Sequence, residues 1–309
     1  MDCLPGESKM NKNMDRNAAA FRMSASGSAA NIRLLVLDID GTIVGESNRV
    51  PESVIQAINL AQRRGVTVAI ATGRSYRSSL EAYDSIGSTL PLICHEGALI
   101  REPNTRFVHR HWRLEVRIVK QMLDYLDRSS EGSRVSFYCF IEDDLYVWNL
   151  NGNALEHPDG SIMKPIVVND LRQLLNQAPT KVMVLSDDYQ VIARLRSQLR
   201  NTYSRVQVTQ TTSVTVLEAL HPAANKGLAV SWMAEKVMAL EARNVLAVGD
   251  ALNDIEMLEY AGIGVAMGNA PPEVKAIADW VAPPIEEDGV ARTIEKWILN
   301  DGPGPAPIP

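Results

Sequence analysis

The amino-acid sequence predicts an α/β protein whose parallel sheet core is interrupted by an inserted α+β domain. Short apolar strands alternate with helical segments up to about residue 100, hairpin patterns then replace that alternation, and it returns at Lys226. The chain has 309 residues, of which 46% are hydrophobic and 22% charged. This composition is typical of a soluble globular protein of about two domains.

The first part of the core begins with a short, mostly apolar run. Ile32–Leu37 is followed by a turn, which is typical of a buried strand. A helix is predicted after Pro51, because apolar residues recur there at helical spacing. Strands at Val66–Ala71 and Pro91–Cys94, separated by a second helix that reaches about Ser85, complete the pattern of a Rossmann-like parallel sheet.

The inserted domain mixes hairpins and helices. Its predicted elements are a helix around 114–126, a hairpin of strands Val135–Phe140 and Leu145–Trp148, a loop at 151–165, a helix near 169–177, a strand at 181–185, a helix near 188–200, and strands at about 204–209 and 213–219. The core then resumes with predicted helices at 227–240, 253–260 and 272–278 and strands at 244–248 and 262–267. The predicted domains are a discontinuous core of residues 31–100 and 223–300, an inserted α+β domain of residues 101–222, and disordered tails at 1–30 and 301–309.

Composition excludes several classes of protein. The net charge of -6 provides no general attraction to nucleic acid or to an anionic membrane, and no apolar run approaches the ~20 residues that span a bilayer. The three scattered cysteines form no CxxC pair, which argues against a zinc site and fits a reducing compartment. We therefore expect a cytoplasmic monomer or weak homo-oligomer; import into an organelle by the N-terminal tail stays open.

Polar residues follow three of the predicted core strands. Asp38 and Asp40 follow the first strand, Thr72-Gly73-Arg74 follows the second, and Asp250 follows a later one. Ligands of open α/β sheets bind beyond the carboxyl ends of the strands, so these residues are expected to meet. Two such carboxylates suit Mg²⁺, one of them can act as a nucleophile, and Asp40 can serve as a general acid and base. Gly41 would let the backbone approach a phosphate.

Each motif has a simpler interpretation when it is taken alone. Asp-x-Asp-Gly is also a common turn and a fragment of an EF-hand loop, but the Glu that such a loop needs at position 12 is absent near Val50. Thr-Gly-Arg also suits the entry to a helix, and a single Lys226 also suits a solvated surface. The glycines between Gly262 and Gly268 do not fit a dinucleotide loop, because the first one precedes its strand.

In chain order, however, the motifs form a specific set that resembles the haloacid dehalogenase-like (HAD) superfamily. The matching segments are Asp38-Ile39-Asp40-Gly41-Thr42, Thr72-Gly73-Arg74, Asn225-Lys226-Gly227 and Gly249-Asp250-Ala251-Leu252-Asn253-Asp254. The run Met267-Gly268-Asn269-Ala270 is similar to the usual ending of the Cof-type subgroup, whose large cap lies between the second and third motifs. The resemblance covers residues 32–300.

The resemblance implies a role for each of these residues. Asp38 would be the nucleophile, and Asp40 would protonate the leaving alcohol and later activate water. Mg²⁺ would be held by the Asp38 carboxylate, the Asp40 backbone carbonyl and Asp250. The residues implied in binding the phosphoryl group or the substrate are Thr72, Lys226, Gly41, Gly73, Arg74 and Asn253. Asp254, with Asn253, would orient Lys226 and the surroundings of the metal.

The implied function is Mg²⁺-dependent hydrolysis of small phosphorylated metabolites, above all sugar phosphates, through an aspartyl-phosphate. An acid/base group at Asp40 favours a phosphatase. A phosphosugar mutase-like transferase and a non-catalytic regulatory protein on the same fold stay open as alternatives.

The chain departs from the subgroup at His95-Glu96-Gly97, where Cof-like chains often have Asn-Gly. The Glu96 carboxylate could disfavour an anionic substrate group or accept hydrogen bonds from a sugar. It could also be a strand-end residue with a local partner.

Overall fold

The structure, a computed structural model, describes residues 31–148, 164–202, 207–210 and 215–300. Its strands are β1 (Leu34–Leu37), β2 (Thr67–Ile70), β3 (Leu92–Cys94), β4 (Leu99–Arg101), β5 (Val108–His111), β6 (Ser136–Ile141), β7 (Asp144–Trp148), β8 (Ile166–Val167), β9 (Lys181–Leu185), β10 (Gln207–Gln210), β11 (Val216–Leu220), β12 (Val245–Gly249), β13 (Ile263–Ala266) and β14 (Trp280–Val281). Its helices are α1 (Glu52–Arg63), α2 (Tyr76–Ser85), α3 (Val116–Arg128), α4 (Tyr189–Thr202), α5 (Lys226–Trp232), α6 (Ile255–Tyr260), α7 (Pro272–Ile277) and α8 (Gly289–Ile294). The predicted tails and most of the predicted loop at 151–165 lie outside the described residues.

The core is a five-stranded parallel sheet in the order β14-β13-β12-β1-β2. All four residues of β1 are fully buried, as expected for a parallel strand that is covered on both faces. Leu34 and Val36 pack in one apolar cluster with residues of α5 and α6. The carboxyl ends of β1, β2 and β12 therefore lie side by side at one edge of the sheet, where the predicted site residues follow them.

A small antiparallel sheet adjoins the core. β3 continues the core sheet through a parallel bridge between Ala71 and Ile93, and it pairs with β4, which pairs with β5. β5 lies in the segment that was predicted to belong to the cap, yet it pairs with β4, which lies at the predicted end of the first core segment. The described sheet thus reaches past residue 100 into that segment.

The inserted cap is built on a six-stranded sheet in the order β10-β11-β9-β6-β7-β8. Its strand pairs are antiparallel except for the parallel pair β7–β8. α3 and α4 cover one face, where Val119 and Leu195 pack against Phe137 and Val182. The opposite face carries a second apolar cluster that includes Tyr138 and Met183.

The two chain segments that join core and cap lie against each other. Trp112 precedes α3 and His221 follows β11, and their rings stack with centroids 4.9 Å apart and an interplanar angle of 12°. Ala98, Leu220 and Ala224 form the buried cluster beside Trp112. The stack couples the segment that enters the cap to the segment that leaves it.

Several predicted elements differ in the structure. The helix expected near 169–177 is a single 3-10 turn at Leu171–Leu174, where the Asp170 side chain accepts a hydrogen bond from the Arg172 N–H. The helix expected at 227–240 is the shorter α5 followed by a π-helical turn at Met233–Val237. No sequence pattern was assigned to β4, β5, β8, β14 or α8, because each is short. None of the helices in the described part of the chain is long and apolar enough to cross a membrane.

Candidate active site

A buried lysine joins two carboxylates at the centre of the site. Asp38 follows β1, and its Oδ1 lies 2.7 Å from Lys226 Nζ at the start of α5. Lys226 Nζ also donates to Asp254 Oδ1 at 2.7 Å. The three side chains are almost completely buried, and the side-chain exposure of Lys226 is 1%. Burial disfavours the charged form of Lys226. The negative charges of Asp254, Asp38 and Glu96 outweigh that effect and raise the pKa of Lys226 well above its usual value.

Asp250 completes the acidic group from the neighbouring strand β12. Its Oδ1 accepts a hydrogen bond from Thr42 Oγ1 at 2.9 Å, and its Oδ2 lies 3.3 Å from Asn269 Nδ2. Gly41, at φ +79°, leaves the space that this carboxylate occupies, since a Cβ there would lie 2.2 Å from Asp250 Oδ2. Because no larger residue fits at Gly41, the turn after β1 and the carboxylate after β12 come into direct contact.

These carboxylates suit a hard divalent cation. Asp38, Asp250 and Asp254 each present an oxygen within 4.8 Å of the others. Both oxygens of Asp254 are already used, by Lys226 and by the N–H groups of Asp250 and Ala251. The hydrogen bond from Lys226 to Asp38 is made to Oδ1. Asp38 and Asp250 are therefore the carboxylates that could hold a cation such as Mg²⁺, with Asp254 fixing the loop around them.

The protonation of the cluster reflects its crowding. Burial, opposed by Lys226 and assisted by Asp254 and Asp250, raises the pKa of Asp38 well above its usual value. Burial, followed by the charge of Asp254, raises the pKa of Asp250 to about 7. A divalent cation between the two carboxylates would favour their ionised forms.

Asp40 is oriented by Arg74, which the sequence placed among the phosphate-binding residues. Arg74 Nε lies 2.9 Å from Asp40 Oδ2, and one terminal nitrogen of Arg74 lies 2.5 Å from Asp40 Oδ1. That nitrogen also lies 2.9 Å from Asn48 Oδ1. In this structure the Arg74 guanidinium is thus directed to the Asp40 carboxylate, and a phosphate-binding role for Arg74 stays a prediction.

The family model for haloacid dehalogenase-like hydrolases matches residues 35–294. The chain belongs to the haloacid dehalogenase-like hydrolase family. The sequence-based predictions of this family, of the α/β fold with its inserted cap, and of a HAD-like phosphatase enzyme are confirmed.

Relatives of known sequence and structure agree with this assignment. The chain is 31% identical over 269 residues to 5-amino-6-(5-phospho-D-ribitylamino)uracil phosphatase YitU of Bacillus subtilis (strain 168), and the match covers 86% of this chain and 97% of the relative. It is 28% identical over 277 residues to a second 5-amino-6-(5-phospho-D-ribitylamino)uracil phosphatase of that organism, YcsE. This match covers 90% of this chain and 100% of the relative. A HAD-like hydrolase structure from Bacteroides thetaiotaomicron shares the fold, with a TM-score of 0.76 at 23% identity over 86% of this chain and 99% of that one.

Glu96 has a distant partner in this HAD chain. Both of its carboxylate oxygens lie 2.9 Å from Asn253 Nδ2, and Glu96 Oε2 lies 3.9 Å from Lys226 Nζ. Burial raises the pKa of Glu96, while the charge of Lys226 opposes that rise. The expectation of a purely local partner is therefore wrong for this side chain, and Asn253 bonds a protein carboxylate in this structure.

The backbone brings the remaining predicted residues to the same place. Glu96 N–H donates to the Thr72 carbonyl at 3.1 Å, which ties the loop after β3 to the loop after β2. Thr72 is fully buried, and its Oγ1 accepts a hydrogen bond from the Arg74 N–H at 3.1 Å. A Cβ on Gly73 would lie 2.1 Å from Glu96 Oε1, so the two loops are in close contact.

Sequence reasoning missed three residues that shape the site. Asn269 donates to the Gly41 carbonyl at 2.9 Å and supports Asp250, Thr42 bonds Asp250, and Asn48 bonds Arg74. Asn269 stood inside the Met267–Ala270 motif, which was a usable signal. Thr42 stood beside Asp40 in the first motif. Nothing in the sequence around Asn48 indicated its contact.

Proposed function

We propose that this protein is a Mg²⁺-dependent phosphatase that hydrolyses small phosphomonoesters through an aspartyl-phosphate on Asp38. The observation that carries the proposal is the position of the buried Asp38 carboxylate, between the Lys226 ammonium and the carboxylate of Asp250. Phosphoryl transfer depends on cationic groups placed around the transferring oxygens. Lys226 supplies one such charge, and a Mg²⁺ ion held by Asp38, the Asp40 carbonyl and Asp250 would supply the other.

In the first step, an oxygen of Asp38 attacks phosphorus and the bond to the leaving alcohol breaks. Lys226, the Thr72 hydroxyl and the turn around Gly41 and Gly73 bind the phosphoryl oxygens. Asp254 holds Lys226 against Asp38, so the ammonium keeps its position while negative charge shifts.

Asp40 moves the protons in both steps. Its carboxyl group gives a proton to the leaving alcohol, and the resulting carboxylate then takes a proton from the water that attacks the aspartyl-phosphate. Its side chain is 45% exposed, so it can reach both the alcohol and water, while Arg74 is buried and holds its orientation.

The proposed substrates are small phosphorylated metabolites with a sugar or polyol part. The names of YitU and YcsE describe a phosphoribityl substrate, whose leaving group is a polyol. The cap contacts the loop after β2 through the hydrogen bond from Lys181 to the Gly73 carbonyl. We propose that it reads the leaving group and excludes water. The buried free thiols of Cys94 and Cys139 support a reducing compartment such as the cytoplasm.

The test is phosphate release by the purified full chain from p-nitrophenyl phosphate and from a panel of phosphorylated metabolites. We expect turnover with Mg²⁺, none with EDTA, and recovery when Mg²⁺ is added in excess. Asp38→Asn should fold and lose essentially all turnover, because an amide is a poor nucleophile. Turnover in Asp38→Asn close to that of the unchanged protein would reject Asp38 as nucleophile, and an inactive unchanged protein would reject the function.

A further inference from the structure

The cap presents charged groups on the sheet face opposite α3 and α4. Strand register places Phe140, Lys181 and Leu220 in one row across β6, β9 and β11. Tyr138, Met183 and Glu218 form the adjacent row. We call this surface the inner face. Most of its residues are apolar, so Lys181, Glu218 and the Tyr138 hydroxyl are its distinctive groups.

Lys181 and Glu218 form a buried ion pair that contacts the core. Lys181 Nζ lies 2.8 Å from Glu218 Oε1, and the side-chain exposures are 4% and 8%. Lys181 Nζ also donates to the Gly73 carbonyl, 3.1 Å away in the loop after β2. Burying both charges has a desolvation cost that apolar residues would avoid, so stability alone explains this pair poorly.

Glu96 approaches the same loop from the core. His95 and Glu96 have φ values of 48° and 57°, in the left-handed region that non-glycine residues rarely adopt. This strained turn places the Glu96 carboxylate against Gly73, where a Cβ would lie 2.1 Å from Glu96 Oε1. Burial raises the pKa of Glu96 and Lys226 lowers it; Glu218 and Lys181 make smaller contributions of opposite sign.

The inner face also has an unused hydrogen-bonding group. The Tyr138 side chain is 2% exposed, and its hydroxyl has no hydrogen-bond partner among the described residues. It lies in the same row as Glu218. A buried hydroxyl without a partner is unfavourable unless a ligand or water satisfies it, so this group points to a polar occupant beside the ion pair.

In the proposed function, in-line transfer would direct the leaving group away from Asp38. Attack and departure are roughly in line, so a leaving group departs from the side of phosphorus opposite Asp38. The loop at Gly73 binds the phosphoryl group in the proposed function, and the inner face contacts that loop. A substrate bound there would have its leaving group between Glu96 and the Lys181–Glu218 pair.

We propose that Glu96, Lys181 and Glu218 form the leaving-group subsite, and that it selects uncharged, hydroxyl-bearing leaving groups over groups that carry a second anion. This inference rests on the proposed phosphatase function. Glu218 balances the charge of Lys181, and Asp38 and Asp254 balance that of Lys226, so Glu96 adds a negative charge to the subsite. Carboxylates accept hydrogen bonds from hydroxyl groups, Lys181 donates to hydroxyl oxygens, and a second phosphate or carboxylate is repelled.

The experiment compares three probes with the full chain and Mg²⁺. Fructose 6-phosphate has a hydroxylated leaving group, fructose 1,6-bisphosphate adds a second anion, and p-nitrophenyl phosphate lacks hydroxyl groups. The unchanged protein should prefer the monophosphate to the bisphosphate in kcat/KM. Glu96→Gln should lower kcat/KM for the monophosphate about 10- to 100-fold, mainly through KM, because a hydrogen bond to a charged group is weakened. It should also narrow the preference for the monophosphate over the bisphosphate, and it should lower kcat/KM for p-nitrophenyl phosphate by a smaller factor than kcat/KM for the monophosphate.

Control variants separate this role from a structural one. Glu259→Gln, on an exposed residue of α6, should leave all three probes unchanged. Because Glu218→Gln leaves Lys181 without its counter-charge, the double variant Lys181→Met with Glu218→Leu tests the pair without an unpaired charge, and circular dichroism and thermal unfolding check its fold. It should lower kcat/KM for the monophosphate by a larger factor than kcat/KM for p-nitrophenyl phosphate.

Each outcome decides the inference. An equal loss for all three probes in Glu96→Gln, or equal use of the monophosphate and the bisphosphate by the unchanged protein, would overturn it. An unchanged protein that hydrolyses p-nitrophenyl phosphate but not fructose 6-phosphate would overturn it too, and would leave the phosphatase function standing. Failure to hydrolyse any probe would instead reject the proposed function itself.

Discussion

Arg74 donates hydrogen bonds from two nitrogens to the carboxylate of Asp40, at 2.9 Å and 2.5 Å. The same guanidinium donates to Asn48 Oδ1 and to the Ser78 carbonyl, so its plane is fixed on several sides. Asp40 itself is almost half exposed. The orientation of the proposed acid/base group therefore depends on a buried residue from the neighbouring strand end.

Substitution of Arg74 should lower kcat more than it raises KM. Arg74→Lys keeps the charge but loses the planar pair of donors, and Arg74→Met loses both. We expect kcat for a sugar phosphate to fall about 10- to 100-fold in Arg74→Met, because misplacing an acid/base group removes part of its 10²–10⁴-fold effect. Steady-state kinetics check this, with the exposed Arg63→Met as control. A raised KM with unchanged kcat would assign Arg74 to phosphate binding instead.

Metal binding should be visible without activity, through Asp250. At pH 8, Asp250→Asn should raise the melting temperature of the metal-free protein, because it removes one of several crowded buried carboxylates. Mg²⁺ should raise the melting temperature of the unchanged protein, since a ligand that binds only the folded state stabilises it. The same Mg²⁺ should have little effect on Asp250→Asn. If Mg²⁺ raised the melting temperature of both proteins by the same amount, Asp250 would not be a ligand of the metal.

Two ion pairs join the hairpin turn of the cap to the core, and we expect them to hold the cap against the core. Arg101, at the end of β4, lies 2.9 Å from Asp143, and Arg77 on α2 lies 3.1 Å from Asp144. Such partly exposed pairs contribute modestly, so Arg101→Met should raise KM about two- to five-fold. Added salt should raise KM in the unchanged protein and less so in the variant.

A matched control is available in Arg243→Met, which breaks a well exposed pair with Glu241 away from the cap. Its KM and salt dependence should equal those of the unchanged protein. The same salt dependence in Arg101→Met and in the unchanged protein would show that this pair does not hold the cap.

Much of the core and the site could be predicted from sequence, because parallel strands are apolar runs and their ends meet at one edge. Asp38, Lys226 and Asp250 come together for that reason. Long-range side-chain partners could not be predicted in the same way. Glu96 with Asn253, and Arg74 with Asp40, depend on how two loops approach each other, and that approach depends on glycines and turns rather than on periodicity.

Stability at mildly acid pH should depend on His111, which joins core and cap. His111 Nε2 lies 2.7 Å from Thr180 Oγ1. Burial, assisted by Arg113, lowers the pKa of His111 from 6.5 to about 4. Between these values the unfolded chain binds a proton that the folded protein does not, so this group makes stability fall as pH drops from 6.5 to 4. Urea unfolding should show that the free energy of unfolding falls less between pH 7.5 and pH 5 in His111→Gln than in the unchanged protein. Equal losses in both proteins would contradict this origin.

Asp40→Asn should separate the two chemical steps. The variant keeps the backbone carbonyl that is proposed to bind the metal, and its side-chain amide oxygen can accept a hydrogen bond from Arg74. The site should therefore stay assembled. It cannot give or take a proton. p-Nitrophenol leaves without much protonation, so Asp38 should still be phosphorylated at a useful rate by p-nitrophenyl phosphate. Hydrolysis of the aspartyl-phosphate should remain slow with every substrate, because the attacking water has lost its base.

The expected signature of Asp40→Asn is a rapid burst of p-nitrophenol, about one equivalent per active site, followed by turnover reduced on the scale of 10²–10⁴-fold. Sugar phosphates should show no burst, because their alkoxide leaving groups need the acid in the first step. Rapid-quench measurements with both substrates distinguish these cases. Asp38→Asn, which has no nucleophile, is the control and should give no burst. Unchanged steady-state rates with both substrates would remove Asp40 from the mechanism, whereas a burst with both would limit Asp40 to the activation of water.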